Sequence, residues 1–213
     1  MNKPIEPVGQ ESRDRQLDVE SLRALAHPLR VQIIDVLSLY GSFTASGLAE
    51  RLGESSGATS YHLRQLEKHG FVREVVDKGT GRERWWERVP GGISVASRET
   101  DETPAGKAAS RVILRQWKVN RENLLDEFMD RGYDELPPRW TESSAISTMN
   151  TRLTSDQLHS LVEEVTTLID SYLDRYRGST EPGSRPIHID FMAFPVIDGE
   201  EVPGWTEPEQ AAP

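Results

Sequence analysis

The chain of 213 residues has no cysteine, which removes disulfides, thiolate catalysis, cysteine-ligated zinc and thiol-based redox or metal sensing. It also has no apolar run near the roughly 18 residues that span a bilayer, and its first 17 residues hold no apolar leader segment. These absences point to a cytoplasmic protein without a membrane partner. Sequence motifs for catalysis are missing as well. There is no Gly-x-Ser-x-Gly, no phosphate-binding loop ending in Lys-Ser or Lys-Thr, and no paired-His metal motif. Neither an enzyme nor a cofactor is expected. An excess of basic charge is lacking too: the net charge is −10, which taken alone argues against a phosphate-rich partner. The acids are not evenly spread, however. Residues 1–90 carry 13 basic and 13 acidic side chains, leaving 12 basic and 22 acidic ones to residues 91–213. A neutral first half can still present one basic face.

With 36% hydrophobic and 28% charged residues, the chain can bury one medium core or two small ones. Residues 1–17 are polar and aperiodic and read as a flexible tail. Four short helical patterns follow. Asp18 caps the first, which carries Leu22, Leu25 and Ala26. Pro28 opens the second, with Val31, Ile33, Ile34 and Leu37, and Gly41 ends it. Thr44 caps a third with Leu48 and Leu52, closed by Gly53; Ser55 or Ser56 caps a fourth with Thr59, Leu63 and Leu66 on one face, closed by Gly70. Residues 71–77 and 83–89 then form two strands around Lys78-Gly79-Thr80-Gly81-Arg82, whose glycines suit a hairpin.

A Gly-, Ser- and acid-rich stretch at 91–104 reads as a linker between a domain at 18–90 and another at 105–202, with a second flexible tail at 203–213. The second half opens with a long helix over 105–131. An alternating strand is expected at 144–153, then a helix started by the Thr154/Gln157 capping box, then a strand at 187–196. Two strands joined by a helical crossover would be parallel and too few for a sheet, which suggests completion by a second subunit. The fold class is thus mainly α with small β: a winged helix-turn-helix domain followed by an α-β-α-β domain for dimerisation or effector binding.

Short helices followed by a glycine-turned hairpin are the element order of a winged helix-turn-helix, whose fourth helix enters the major groove. The fragments Leu25-Ala26-His27-Pro28-Leu29-Arg30, Leu48-Ala49-Glu50-Arg51-Leu52-Gly53, Ser60-Tyr61-His62-Leu63-Arg64-Gln65-Leu66 and Gly70-Phe71-Val72, in this order and spacing, resemble the ArsR-type winged-helix repressors over roughly residues 18–89. The resemblance implies a homodimeric regulator of transcription on an inverted-repeat operator in double-stranded DNA. Many such proteins sense metals through third-helix cysteines or carboxy-terminal acidic and His ligands. Here Thr44 and Ser46 stand at the cysteine positions, and residues 105–131 contain no His. Hydroxyls are poor ligands for those metals, so no metal site of that type is expected.

With Thr59, Leu63 and Leu66 inward, the fourth helix turns Gly57, Tyr61, Arg64, Gln65 and Lys68 outward, flanked by Ser56, Ala58 and Ser60. Arg64 and Gln65 suit base edges, while Ser56, Ser60 and Tyr61 suit phosphates or bases. His62, at the edge of the core face, suits packing or a phosphate. Arg82 and Arg84 belong to a strip of the second hairpin strand that alternation extends to Trp86 and Arg88. That strip suits a wing on the DNA backbone, or else surface arginines paired with Glu83 and Glu87. Trp85 and Trp86 point to opposite faces, so one anchors the hairpin and the other stays partly exposed.

On the long helix, Val112, Ile113, Trp117, Leu124 and Phe128 form a stripe for dimerisation. Trp117, Trp140, Met149, His188, Met192 and Phe194 are the aromatic, thioether and imidazole groups that could line a pocket for a small apolar effector, although at such spacings these residues are more often plain core. A different class of function is a winged-helix protein-interaction module without specific DNA binding. Absence of salt-dependent duplex binding would distinguish it.

Overall fold

The computed structural model describes residues 14–204 apart from 77, 80–82, 96–102 and 177. The expected element order is found in the first half. Helix α1 (Val19–Leu25) starts where the Asp18 carboxylate accepts the Ser21 N–H at 2.7 Å. Helix α2 (Pro28–Tyr40) has Pro28 in its first turn, and the His27 Nδ1 accepts the Leu29 N–H at 3.2 Å. A side-chain acceptor at each start satisfies one of the donors a helix leaves open. Gly41, at φ 82°, lets the chain leave α2 in a conformation other residues rarely adopt. Strand β2 (Phe43–Thr44) leads into helix α3 (Ala45–Leu52), and helix α4 (Ser56–Lys68) follows after a turn in which Gly53 is left-handed.

Strands β3 (Val72–Glu74) and β4 (Trp85–Arg88) form the hairpin and are shorter than the seven-residue segments the sequence suggests. The central strand is β4, antiparallel to both β2 and β3 in a three-stranded sheet of order β2-β4-β3. The pairing Phe43 with Trp86 and Thr44 with Trp85 ties the hairpin to the start of α3. Residues read as tail and linker also take part. Strand β1 (Asp14–Gln16) runs parallel to β5 (Gly92–Ser94), and the buried Leu17 and Val95 follow the two strands directly. Two apolar anchors in otherwise polar stretches are too sparse to register as strand periodicity.

One core joins these elements, with Leu22 and Leu25 from α1, Ile33 and Leu37 from α2, Leu48 from α3, Leu63 and Leu66 from α4, and Phe71, Val72 and Trp86 from the sheet. The long helix belongs to it as well. Helix α5 (Pro104–Glu127) starts at Thr103, whose hydroxyl accepts the Gly106 N–H at 3.0 Å, and lays Ala109 and Ile113 into the same core. The described residues therefore divide near residue 144, into 14–144 with 186–188 and 145–185 with 189–204, and not at the 91–104 stretch. Composition marks the start of α5, but its apolar positions pack backwards on α1 and α2. A π-helical turn (Phe128–Gly132) and the short helices α6 (Tyr133–Glu135) and α7 (Pro138–Thr141) complete this unit.

In the other unit, helix α8 (Ser155–Tyr176) has the expected reciprocal capping box: Thr154 N–H to Gln157 Oε1 at 3.0 Å and Gln157 N–H to Thr154 Oγ1 at 3.2 Å. The strands expected at 144–153 and 187–196 are corrected. Neither segment carries a backbone ladder, because alternation supplies a face while a strand also needs a neighbour for its N–H and C=O groups.

A polar cluster crosses the first unit where α2 meets α5. Asn120 donates to the Asp35 carboxylate, and Gln116 Nε2 donates to Asn120 Oδ1 at 2.7 Å. Burial pushes the Asp35 carboxyl up to about 6, against the opposing pull of Asn120 and of Arg88 on β4. A folded carboxyl that titrates above its unfolded value of about 3.9 holds its proton more tightly when folded. Its contribution to stability is complete below about pH 4 and is lost as pH rises through about 6. Above that pH, Asp35→Asn is expected to raise stability by about 2 kcal/mol, with the gain vanishing near pH 4. Urea titrations at pH 4 and pH 8 test this; equal gains at both would refute it.

Candidate nucleic-acid interface

Helix α4 presents its polar face because the other face is held on three sides. Leu63 and Leu66 are fully buried. Thr59 is too, and its hydroxyl donates to the Ala45 carbonyl of α3 at 2.8 Å. At its start, Ser55 Oγ accepts the Ala58 N–H at 3.2 Å. The exposed side then carries Ser56, Gly57, Tyr61, Arg64 and Lys68, with Ser60 and Gln65 half-buried beside them. Ala58 is half-buried and packs against the core. The structure brings these residues onto one continuous face, as the 100° spacing implies. Arg64 Nε donates back to the Ser60 carbonyl at 3.1 Å, which draws the guanidinium toward the first turns of the helix.

Between α4, the start of α3 and the hairpin lies an open groove of about 400 Å³. Ser60 and Arg64 line one wall, Thr44 and Ser46 another, and Glu83, Arg84 and Trp86 the third. In the sequence Thr44 and Ser46 stand out only as a cap and as the residues in place of cysteines. Their place beside α4 depends on β2 pairing with β4, which no local pattern reveals. Cationic groups from two elements, Arg64 and Arg84, thus border one concavity together with hydroxyl donors.

The strip on the second hairpin strand is corrected. Trp86 is buried, and Arg88 donates to Ser38 Oγ at 3.0 Å and to the Gly91 carbonyl at 2.7 Å. Their face is the inward one, because the sheet closes over α2. Arg84, just before the strand, stays exposed and lies 3.7 Å from the Glu74 carboxylate. Arg73 pairs with Glu87 at 2.7 Å. Such exposed pairs contribute little and exchange readily for another anion. Arg82 lies outside the described residues. Trp86 is the anchor of the hairpin, and the half-buried Trp85 has the Lys78 ammonium 4.3 Å over its ring.

His62 is half-buried, with its ring 4.4 Å from that of His27 and 5.1 Å from that of Tyr61. Burial first, then the positive charges of His27 and Arg30, hold the His62 imidazole below its ordinary range, while Glu54 opposes them. His27 is lowered in the same way, by burial and then Arg30. Arg30 and His27 were not read as site residues, because nothing in the spacing of the α2 start and α4 indicates that they meet.

The remaining expected sites fare differently. Ile113 is fully buried in the core of its own chain, so it is no contact for a second subunit. Trp117 also packs against that core, Leu124 and Phe128 are half-buried, and Val112 is exposed. Most side chains of the effector-pocket set are open to solvent. Met149 is 88% exposed, Phe194 70% and Met192 56%; His188 is exposed and Trp140 half-buried. At strand spacing these apolar side chains share a face, but without a ladder or second layer nothing encloses them. Among the described residues no three His, Asp or Glu side chains converge as metal ligands, and no helix is long and apolar enough to cross a membrane.

Residues 25–75 match the family described as a helix-turn-helix domain. No curated protein matches the chain. Among solved structures, a transcriptional regulator, Tm0710 from Thermotoga maritima, is similar over 76% of this chain and 89% of its own, at 13% identity and a TM-score of 0.29. Residues 25–75, which span α2 to β3, are thus the part of the chain that matches a helix-turn-helix domain, and the short antiparallel sheet stands beside its helices as a wing.

The contact between Thr59 and Ala45 is open to a direct check. Thr59→Val keeps the shape but removes the hydroxyl, and is expected to cost about 1–2 kcal/mol in a urea titration. A change of under about 0.3 kcal/mol would mean that packing alone holds α4 on α3.

Proposed function

We propose that the chain is a sequence-specific regulator of transcription that binds double-stranded DNA as a homodimer on an inverted repeat and represses by occupying its operator. The observation that carries this reading is the groove in which Arg64 of α4 and Arg84 of the hairpin meet beside Ser60 and Ser46. A helix with a polar face of this width fits the major groove, where Arg64 and Gln65 reach base edges and the backbone is left to Ser56, Ser60, Lys68 and Arg84. The pairing of Arg84 with Glu74 is weak enough to be traded for a phosphate. The chain's net negative charge then restricts binding to this face.

Dimerisation is supported by the apolar side chains that α5 leaves outside its own core: Val112, Leu114, Val119 and Leu125, with Met129 beyond it, are all exposed. Two copies joined along α5 would hold their α4 helices at a fixed separation, which half-sites about one helical turn apart require. A ligand that changes that separation releases the operator. A small apolar effector would occupy a site completed by the second subunit. Metal-controlled release is not part of this reading, because Thr44 and Ser46 stand at the cysteine positions and residues 105–131 contain no His.

Selection of genomic duplexes by the purified protein, followed by titration of the best fragment at several salt concentrations, tests the reading. An enriched inverted repeat and a steep salt slope are expected. No enrichment and no salt-dependent binding would overturn it in favour of a protein-docking surface. With the selected duplex, Arg84→Ala is expected to weaken binding to all sequences and reduce the salt slope by about one, whereas Gln65→Ala costs about 1–3 kcal/mol at one base position. Equal losses with an unchanged slope for both would contradict this division of labour.

A further inference from the structure

The flank of α4 away from the wing carries an unusual combination of groups. Arg30, in the first turn of α2, has its Nε buried without a hydrogen-bond partner, and its guanidinium makes no ion pair among the described residues. His62 Nδ1 on α4 is buried and unpartnered in the same way. The two side chains are close enough for the Arg30 charge to act on both His62 and His27. Tyr61, 56% exposed, stands at the edge of this cluster, and its ring meets that of His62 edge-on. The one acid that acts on the two histidines is Glu54, in the turn before α4. It makes no ion pair with Arg30.

Buried donors without acceptors are costly, and a partly desolvated cation without a counter-ion more so. Such an arrangement persists where a ligand supplies the missing acceptor. The ligand must supply acceptors, because Arg30 can only donate, and the guanidinium charge favours an anion reached from the surface on which Tyr61 lies. A phosphate diester oxygen has that chemistry and forms charge-assisted bonds with a guanidinium. The His27 Nδ1 is already occupied by the Leu29 N–H, so His27 acts as the packing partner of His62 and not as a donor through that atom.

We propose that Arg30, with His62 and Tyr61, binds a DNA backbone phosphate on the flank of α4 opposite the wing, so that α4 is bracketed by phosphate contacts on both sides. This rests on the DNA-binding reading above. It adds a residue from outside α4 and the hairpin to the interface, and it accounts for the two orphaned nitrogens together. The facing groups are His27 and Arg30 on α2, Glu54 in the α3–α4 turn, and Tyr61 and His62 on α4. With an added negative charge, the imidazoles no longer experience an uncompensated Arg30, so they take up protons more readily in the complex than in the free protein. Binding is therefore expected to tighten as pH falls through the titration of His62 in the complex.

The test uses the full chain and its selected duplex. Arg30→Gln is expected to weaken binding about tenfold, for unrelated duplexes as well as the selected one, and to lower the salt slope by about one. Arg30→Lys should recover the slope and part of the affinity. Unchanged affinity and slope in Arg30→Gln, with the wild type binding normally, would overturn this inference and leave the DNA-binding reading intact. No duplex binding by the wild type would remove both. Should Arg30→Gln not fold, the wild type decides alone: NMR titration of the His62 ring with duplex, and separately with inorganic phosphate, is expected to show an upward pKa shift with duplex. No shift with duplex overturns the contact, and a shift with inorganic phosphate alone assigns the cluster to free phosphate and overturns the DNA contact.

Discussion

The polar face of α4 depends on the hydrogen bond from Thr59 to the Ala45 carbonyl, since this bond fixes where along α3 the helix sits. Leu63 and Leu66 provide most of the burial, but apolar contact is tolerant of sliding, whereas the Thr59 hydroxyl, which also lies near the Ser55 and Ser56 carbonyls, is closest to that of Ala45 and directional. The same region of α3 is tied to the sheet, where Thr44 pairs with Trp85 and Phe43 with Trp86. Recognition helix, preceding helix and wing thus share a common reference within a few residues of Ala45. The groove between Arg64 and Arg84 is a consequence of that shared anchoring.

Helix α2 links two sets of polar groups that the core leaves incompletely satisfied. Its first turn carries Arg30 beside α4. One and a half turns on, Asp35 meets Asn120 of α5, and Ser38 accepts from Arg88 of the sheet. Helix α2 thus packs against both the recognition helix and the long helix. Its charges are of opposite sign along its length: a cation toward the proposed DNA side, and on the inner side a carboxyl that burial makes harder to ionise. Desolvation makes both costly in the free chain, and a relief at either position alters the free energy of the packing around α2.

Much of the first half was legible in the sequence because its signals are local. Asp18, Thr44, Ser55, Pro28, Gly41 and Gly53 mark helix ends within one turn of where they occur, and a 100° spacing sorts α4 into core and exposed faces. The hairpin strands were legible too. Their inward face was not, because alternation separates Arg84, Trp86 and Arg88 from Glu83, Trp85 and Glu87 without saying which set meets the core. The burial of Trp86 decides it. His27 and Arg30 were illegible as neighbours of His62 for a related reason: their meeting is tertiary, some thirty residues apart in sequence. The membership of Ile113 in the first core is of the same kind, since the stripe on α5 has one apolar face and the sequence does not name what it covers.

The second half shows the limit of periodicity most plainly. The Thr154/Gln157 box starts α8 as expected, since a capping box is closed by its own four residues. Yet none of the residues of α8 is buried, and the segments at 144–153 and 187–196 keep alternating apolar side chains without a ladder. A helix of 22 residues with an apolar stripe and a strand-like segment with an apolar face are each consistent with their patterns. What they lack is the layer that patterns of this sort presuppose. Local signals specify an element; its stability comes from burying the face that the element creates. In residues 145–204 helix α8 forms as its capping box implies, whereas the two segments with strand-like alternation have no ladder.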